Sequence, residues 1–195
     1  LERTEQLPHQ TKAQDLGSKY IVFSIREGKT GKNLDYGVSV DQVQEIGTSE
    51  EVTRVPGAPA HIIGVMNLRG KIITIVDMRK FLGIDPGNGS GEKHSSSARI
   101  IVAQVGVSMI GLLVDEVDQV LQIYASDIEP APQVLSQNAP FIMGIAKRNS
   151  RLYVLISVKS MFAGDAKSLQ GLDISKLSTQ QAETQAANAT GNQVR

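Results

Sequence analysis

Two stretches of this chain are written on one skeleton. Gly37-Val38-Ser39-Val40-Asp41-Gln42-Val43-Gln44-Glu45-Ile46 aligns without a gap on Gly111-Leu112-Leu113-Val114-Asp115-Glu116-Val117-Asp118-Gln119-Val120, a displacement of 74 residues from 37 to 111. A second block repeats at a displacement of 80. Ile62-Ile63-Gly64-Val65 falls on Ile142-Met143-Gly144-Ile145, and Ile72-Ile73-Thr74-Ile75-Val76-Asp77 falls on Leu152-Tyr153-Val154-Leu155-Ile156-Ser157. Chance likeness of apolar segments does not readily give two blocks in the same order and spacing, so the chain reads as a duplication.

The repeated unit is β in character. Tyr20–Ile25, Ile72–Val76, Ile100–Ala103 and Leu152–Ile156 are short β-branched and aromatic runs, punctuated by Gly, Pro and Asn. That pattern predicts a mainly β chain of two related small barrels packed together, rather than βαβ units. Asp77 and Ser157 each precede a helix-like turn, Met78–Leu82 and Val158–Phe162, and are placed to cap it. All eight Phe and Tyr residues lie between Tyr20 and Phe162, which puts the core there. Residues 1–17, polar and without periodicity, read as a flexible arm, and 18–164 as the folded part. A polar, Gly- and Ser-rich connector at about 85–97 divides the core into two halves. Residues 165–195 read as a mostly disordered tail, in which Leu169, Leu172 and Leu177 could support a short helix.

Composition removes several kinds of function. The 195 residues carry 20 Lys+Arg against 20 Asp+Glu, which argues against a strongly electrostatic nucleic-acid binder or a polybasic membrane anchor. Four Phe, four Tyr and no Trp leave few platforms for base stacking. With no cysteine there is no disulfide, thiolate nucleophile or Cys-ligated zinc. The apolar run Gly106–Val114 is about half of the ~20 residues that a membrane span needs. Gly28-Lys29-Thr30 resembles the end of a phosphate loop, but Phe23 stands where the loop needs its first glycine. Asp85-Pro86-Gly87-Asn88-Gly89 matches an ATPase element but lies in the connector, and His9, His61 and His94 have no metal-ligand spacing and read as solvated. Asp41 and Asp115 hold equivalent places in the repeat, so a structural role at the end of a strand fits them better than an acid–base pair. No catalytic residue, cofactor site or metal site is expected.

What remains is the difference between the copies. Val65-Met66-Asn67-Leu68-Arg69-Gly70-Lys71-Ile72 lies opposite Ile145-Ala146-Lys147-Arg148-Asn149-Ser150-Arg151-Leu152. Both predict tight turns, since Gly70 and Asn149 tolerate positive φ. Turn chemistry does not ask for Arg69 where the other copy has Asn149. Arg69 reads either as a grip for a partner's carboxylate or carbonyl at the hairpin apex, or as a solvated turn residue. Val43 and Ile46 flank Glu45, which stands where the other copy has Gln119, and an apolar stripe there could accept an amphipathic helix.

Taken together, Val55-Pro56-Gly57-Ala58-Pro59, Ile63–Arg79, Gly111–Val117, Ile128–Pro132 and Phe141–Ile145 resemble the CheW-like domain over residues 18–164. The resemblance implies a chemotaxis coupling protein: a non-enzymatic adaptor of two five-stranded SH3-like barrels, cytoplasmic and recruited to membrane receptor arrays. It would join the cytoplasmic hairpin tips of chemoreceptors to the regulatory domain of the histidine kinase CheA. Carried onto this chain, receptor-facing residues would be Val43, Glu45, Ile46 and Arg69, with Val117 and Val120 as further lining. Kinase contacts would lie near Gly64, Gly70 and Gly111. Two related readings are the adaptor half of a CheV-like protein and a fragment of the CheA regulatory domain. Residues 1–17 and 165–195 are too short to hold the receiver or nucleotide-binding parts that these would add.

Overall fold

The computed structural model describes residues 16–48, 52–84 and 96–163. Most of the expected arm, residues 85–95 of the connector and the whole expected tail lie outside them. The chain runs β1 (Ser18–Arg26), β2 (Asn33–Ser39), β3 (Val43–Gly47), β4 (Ile62–Leu68) and β5 (Lys71–Asp77) into a short α1 (Met78–Phe81). Beyond the connector come β6 (Arg99–Val105), β7 (Ser108–Val114), β8 (Glu116–Ile123) and β9 (Ile128–Glu129). Then follow α2 (Gln133–Asn138), β10 (Ile142–Arg148), β11 (Arg151–Ile156) and α3 (Val158–Met161).

The strands form two sheets, one of order β8-β1-β2-β11-β10-β9 and one of order β3-β6-β7-β5-β4. Under the duplication β1 answers to β6, β2 to β7, β3 to β8, β4 to β10 and β5 to β11. With that exchange the two orders coincide, the extra β9 apart. The parallel registers coincide too: Leu155 lies beside Gly37 as Ile75 lies beside Gly111. Neither sheet is made by one copy, however. The connector separates the copies along the chain but not the sheets, because β5 before it and β6 after it belong to the same sheet. With β9 left aside, each copy gives two strands to one sheet and three to the other, crossing over between β2 and β3 or between β7 and β8.

The apolar runs follow from this layering. On β1, Ile21, Phe23 and Ile25 enter a core shared by both sheets, while Tyr20 and Val22 enter a core inside the first sheet. On β6, Ile101 and Ala103 face the shared core and Ile100 and Val102 the interior of the second sheet. A strand buried on both faces needs an unbroken apolar run, and alternation sorts its side chains between two cores. α1 and α3 close the seam, where Phe81 packs its ring against Phe141, Phe162 and His61 at centroid distances of 5.7, 5.6 and 5.5 Å. His61 is therefore half-buried against an aromatic rather than solvated. Asp77 accepts from the Arg79 and Lys80 amides, and Ser157 from the Ser160 amide, as their placement predicts.

Hydrogen-bonded ladders leave a gap between β10 and β8 in the first sheet and between β4 and β3 in the second, and an arginine spans each. In the first sheet Arg148 on β10 donates to the Gln122 carbonyl on β8 at 2.7 Å. In the second, Arg69 after β4 pairs with Glu45 on β3 at 2.7 Å.

Candidate functional site

The β4–β5 turn places two consecutive residues in the left-handed region, Arg69 at φ 52° and Gly70 at φ 82°. This is the backbone that a right-twisted two-residue hairpin demands. The Gly70 amide donates to Asn67 Oδ1 at 2.9 Å and fixes the turn. The equivalent turn on the first sheet carries Asn149 at φ 49° and Ser150 at φ 61°. Asparagine is at ease there; a long side chain with a Cβ pays roughly 1–2 kcal/mol for the same conformation. The Arg69 side chain is 82% exposed, so its ion pair with Glu45 returns only about 0–1 kcal/mol. Stability does not account for Arg69.

The pair stands beside an apolar strip. Ile46, next to Glu45 on β3, is 42% exposed, and Val43 at the start of β3 is half-buried against the shared core. A register shift between Val43 and Glu45 bends β3 at this point. On the first sheet, Val117 and Val120 of β8 repeat Val43 and Ile46: Val117 packs on the same shared core and Val120 is 56% exposed. Thus the structure brings Glu45, Ile46, Arg69 and Gly70 together at one barrel edge. It places Val117 and Val120 on the counterpart strand of the other sheet.

Gly64 and Gly111 are a different matter, because both are buried. A Cβ on Gly64 would lie 2.0 Å from the Thr53 carbonyl oxygen, and one on Gly111 would lie 2.6 Å from Ile75 Cδ1. Each is a glycine because a neighbour packs over it.

Sequence reasoning gave Asp115 a structural place but missed its buried ion pair. Asp115, at the crossover from β7 to β8, is 6% exposed. It accepts from Arg79 Nε at 2.9 Å, from Arg79 Nη2 in a bidentate pair, and from the Arg26 amide at 2.7 Å. This joins α1, the β7–β8 crossover and the end of β1, and it bears out a structural role for Asp115. The counterpart Asp41 is exposed and lies in a 3-10 turn of residues Val40–Gln42. Among the described residues no group of three or more His, Cys, Asp or Glu could hold a metal ion. None of the described helices is long and apolar enough to cross a membrane.

The family model of the CheW-like domain matches residues 19–166. The chain belongs to the CheW family. It is 34% identical over 152 residues to a probable chemotaxis protein CheW of Rhizobium etli, covering 74% of this chain and 94% of that one. Against the chemotaxis protein CheW of Bacillus subtilis it is 34% identical over 146 residues, covering 74% and 86%. The crystal structure of the scaffolding protein CheW from Thermoanaerobacter tengcongensis superposes with a TM-score of 0.65 at 33% identity, covering 75% of this chain and 92% of that one. The CheW family places the chain among chemotaxis scaffolding proteins rather than enzymes.

Proposed function

We propose that this chain couples the cytoplasmic hairpin tips of chemoreceptors to the regulatory domain of the histidine kinase CheA, with its grip on the receptor at the β4–β5 apex. The observation that carries this reading is Arg69, a strained and exposed arginine that the turn does not need and the duplicate lacks. Glu45 holds its guanidinium over the β3 edge, where Val43 and Ile46 offer apolar surface to the face of an amphipathic helix. Val117 and Val120 repeat these apolar positions on the opposite sheet, with uncharged Gln119 where β3 has Glu45. Kinase contacts fall on exposed strand ends around Gly70, not on Gly64 or Gly111 themselves. The setting is the cytoplasmic side of a membrane receptor array.

An adaptor has no energy source. It changes kinase output only by binding one receptor–kinase arrangement more tightly than another. Several weak contacts made together give an assembly that depends steeply on concentration.

The test separates grip from fold. Arg69→Asn restores the residue that the duplicate uses, so thermal stability should hold or rise by about 1 kcal/mol. Affinity for a receptor-tip fragment should drop about tenfold, equivalent to about 1.4 kcal/mol. Val43→Glu should cut receptor-dependent kinase stimulation by a similar factor while the chain stays folded. Unchanged stimulation in both variants would remove the apex from the interface.

A further inference from the structure

The mouths of the two barrels occupy equivalent places and are filled differently. At the first sheet, Arg151 donates to Asp35 Oδ2 through Nη2 and Nε at 2.8 and 3.1 Å and lies 3.6 Å from Asp118. Its guanidinium covers the Tyr153 ring at 5.7 Å. At the second sheet Lys71 replaces Arg151, Ile73 replaces Tyr153, Met109 replaces Asp35 and Gln44 replaces Asp118. The register fixes the key equivalence: Met109 lies opposite Gln104 as Asp35 lies opposite Ser24. Both carboxylates are gone on that side, and Lys71 has no ion pair among the described residues.

A cleft of about 340 Å³ opens at this second mouth, lined by Lys71, Ile72, Gln104, Val107, Ser108 and Met109 among others. Ile72 is 49% exposed and Val107 93%. The cleft therefore suits aliphatic bulk together with one carboxylate. The carboxylate is what the counterpart supplies to Arg151 from within, through Asp35.

The chain itself carries that combination nearby. It leaves the described residues after Ala163, just beyond α3. α3 packs on β6, the strand that gives Gln104 to the cleft, and Met161 and Phe162 share a core with Val105. Within residues 164–195 the acidic side chains are Asp165, Asp173 and Glu183, and only Asp173 is flanked by large aliphatics, Leu172 and Ile174. Ten extended residues from Ala163 reach about 35 Å, enough to arrive from the end of α3.

We propose that Leu172-Asp173-Ile174 docks in this cleft of its own chain, with Asp173 on Lys71 and the two aliphatic side chains against Ile72 and Val107. Docked, the segment covers the end of the second barrel two residues from Arg69.

The chain contains no cysteine, so Ser175→Cys provides a single site for a nitroxide label. In the full chain, the amide signals of Ile72, Val107 and Ser108 should lose more than half their intensity to the label. Lys71→Glu should restore them, and adding Asp173→Lys to Lys71→Glu should broaden them again. A mixture of labelled chain with isotope-enriched unlabelled chain should show no broadening. Broadening spread evenly over the surface, or insensitive to Lys71→Glu, overturns the proposal. So does equal broadening in the mixture, which would put the segment on a second copy.

Discussion

Replacing Asp115 by alanine should cost about 3–5 kcal/mol of folding stability. The variant strands the Arg79 guanidinium, whose side chain is 17% exposed, and leaves the Arg26 amide without its 2.7 Å acceptor. Removing one member of a buried pair costs more than the pair is worth, because the survivor has lost its water and its partner. Domains of this size have about 5–15 kcal/mol in hand. At about 2–4 °C per kcal/mol, the thermal midpoint should fall by about 10 °C. Pairing Asp115→Leu with Arg79→Met should recover much of the loss but not all, since the Arg26 amide still lacks an acceptor. A urea titration that finds under 1 kcal/mol for Asp115→Ala would mean that water screens the pair. The effect should also be local in origin. Asp115 sits where the chain passes from one sheet to the other, so loosening should appear first in amide exchange along the β1–β8 ladder and at α1.

This ion pair marks a limit of what the amino-acid sequence tells. The strands were legible: Tyr20–Ile25, Ile72–Val76, Ile100–Ala103 and Leu152–Ile156 all lie inside β1, β5, β6 and β11. The caps at Asp77 and Ser157 were legible because capping is a local property of a few consecutive residues. The exchange of strands between the copies was not. Alternation specifies which face a side chain takes, not which strand lies alongside, so a duplicated pattern is equally consistent with swapped and unswapped sheets. Arg79 and Asp115 are 36 residues apart, and no periodicity connects them. Within the candidate site, Arg69 stood out because it departs from its own duplicate. The same comparison, applied to Asp35 and Met109, would have pointed to the cleft. The packing over Gly64 and Gly111 was not legible, because a glycine in a strand marks a close approach without saying whether a partner or the protein itself makes it.

Gly64→Ala should unfold a piece of the second sheet rather than remove a contact. The added Cβ would stand 2.0 Å from the Thr53 carbonyl oxygen, 2.7 Å from its carbon and 3.0 Å from Arg54 Cα, all of them backbone. A flexible side chain could move aside; a main chain held by two hydrogen bonds cannot do so without breaking them. Those bonds are Thr53 N–H to the Val65 carbonyl at 2.7 Å and Val65 N–H to the Thr53 carbonyl at 2.8 Å. Losing both, with the apolar surface of Val65 and Val52 partly uncovered, should cost about 2–4 kcal/mol. Gly144 is the internal control, because a Cβ there would meet the Glu129 carbonyl oxygen and Ile128 Cγ2 only at 2.8 Å. Gly144→Ala should therefore cost less than Gly64→Ala. The two kinds of defect also differ in temperature dependence. Partner binding by Gly64→Ala should return on cooling below its lowered midpoint, whereas binding by Arg69→Ala should stay weak at every temperature. A Gly64→Ala protein with an unchanged midpoint and no partner binding would make Gly64 a contact residue after all.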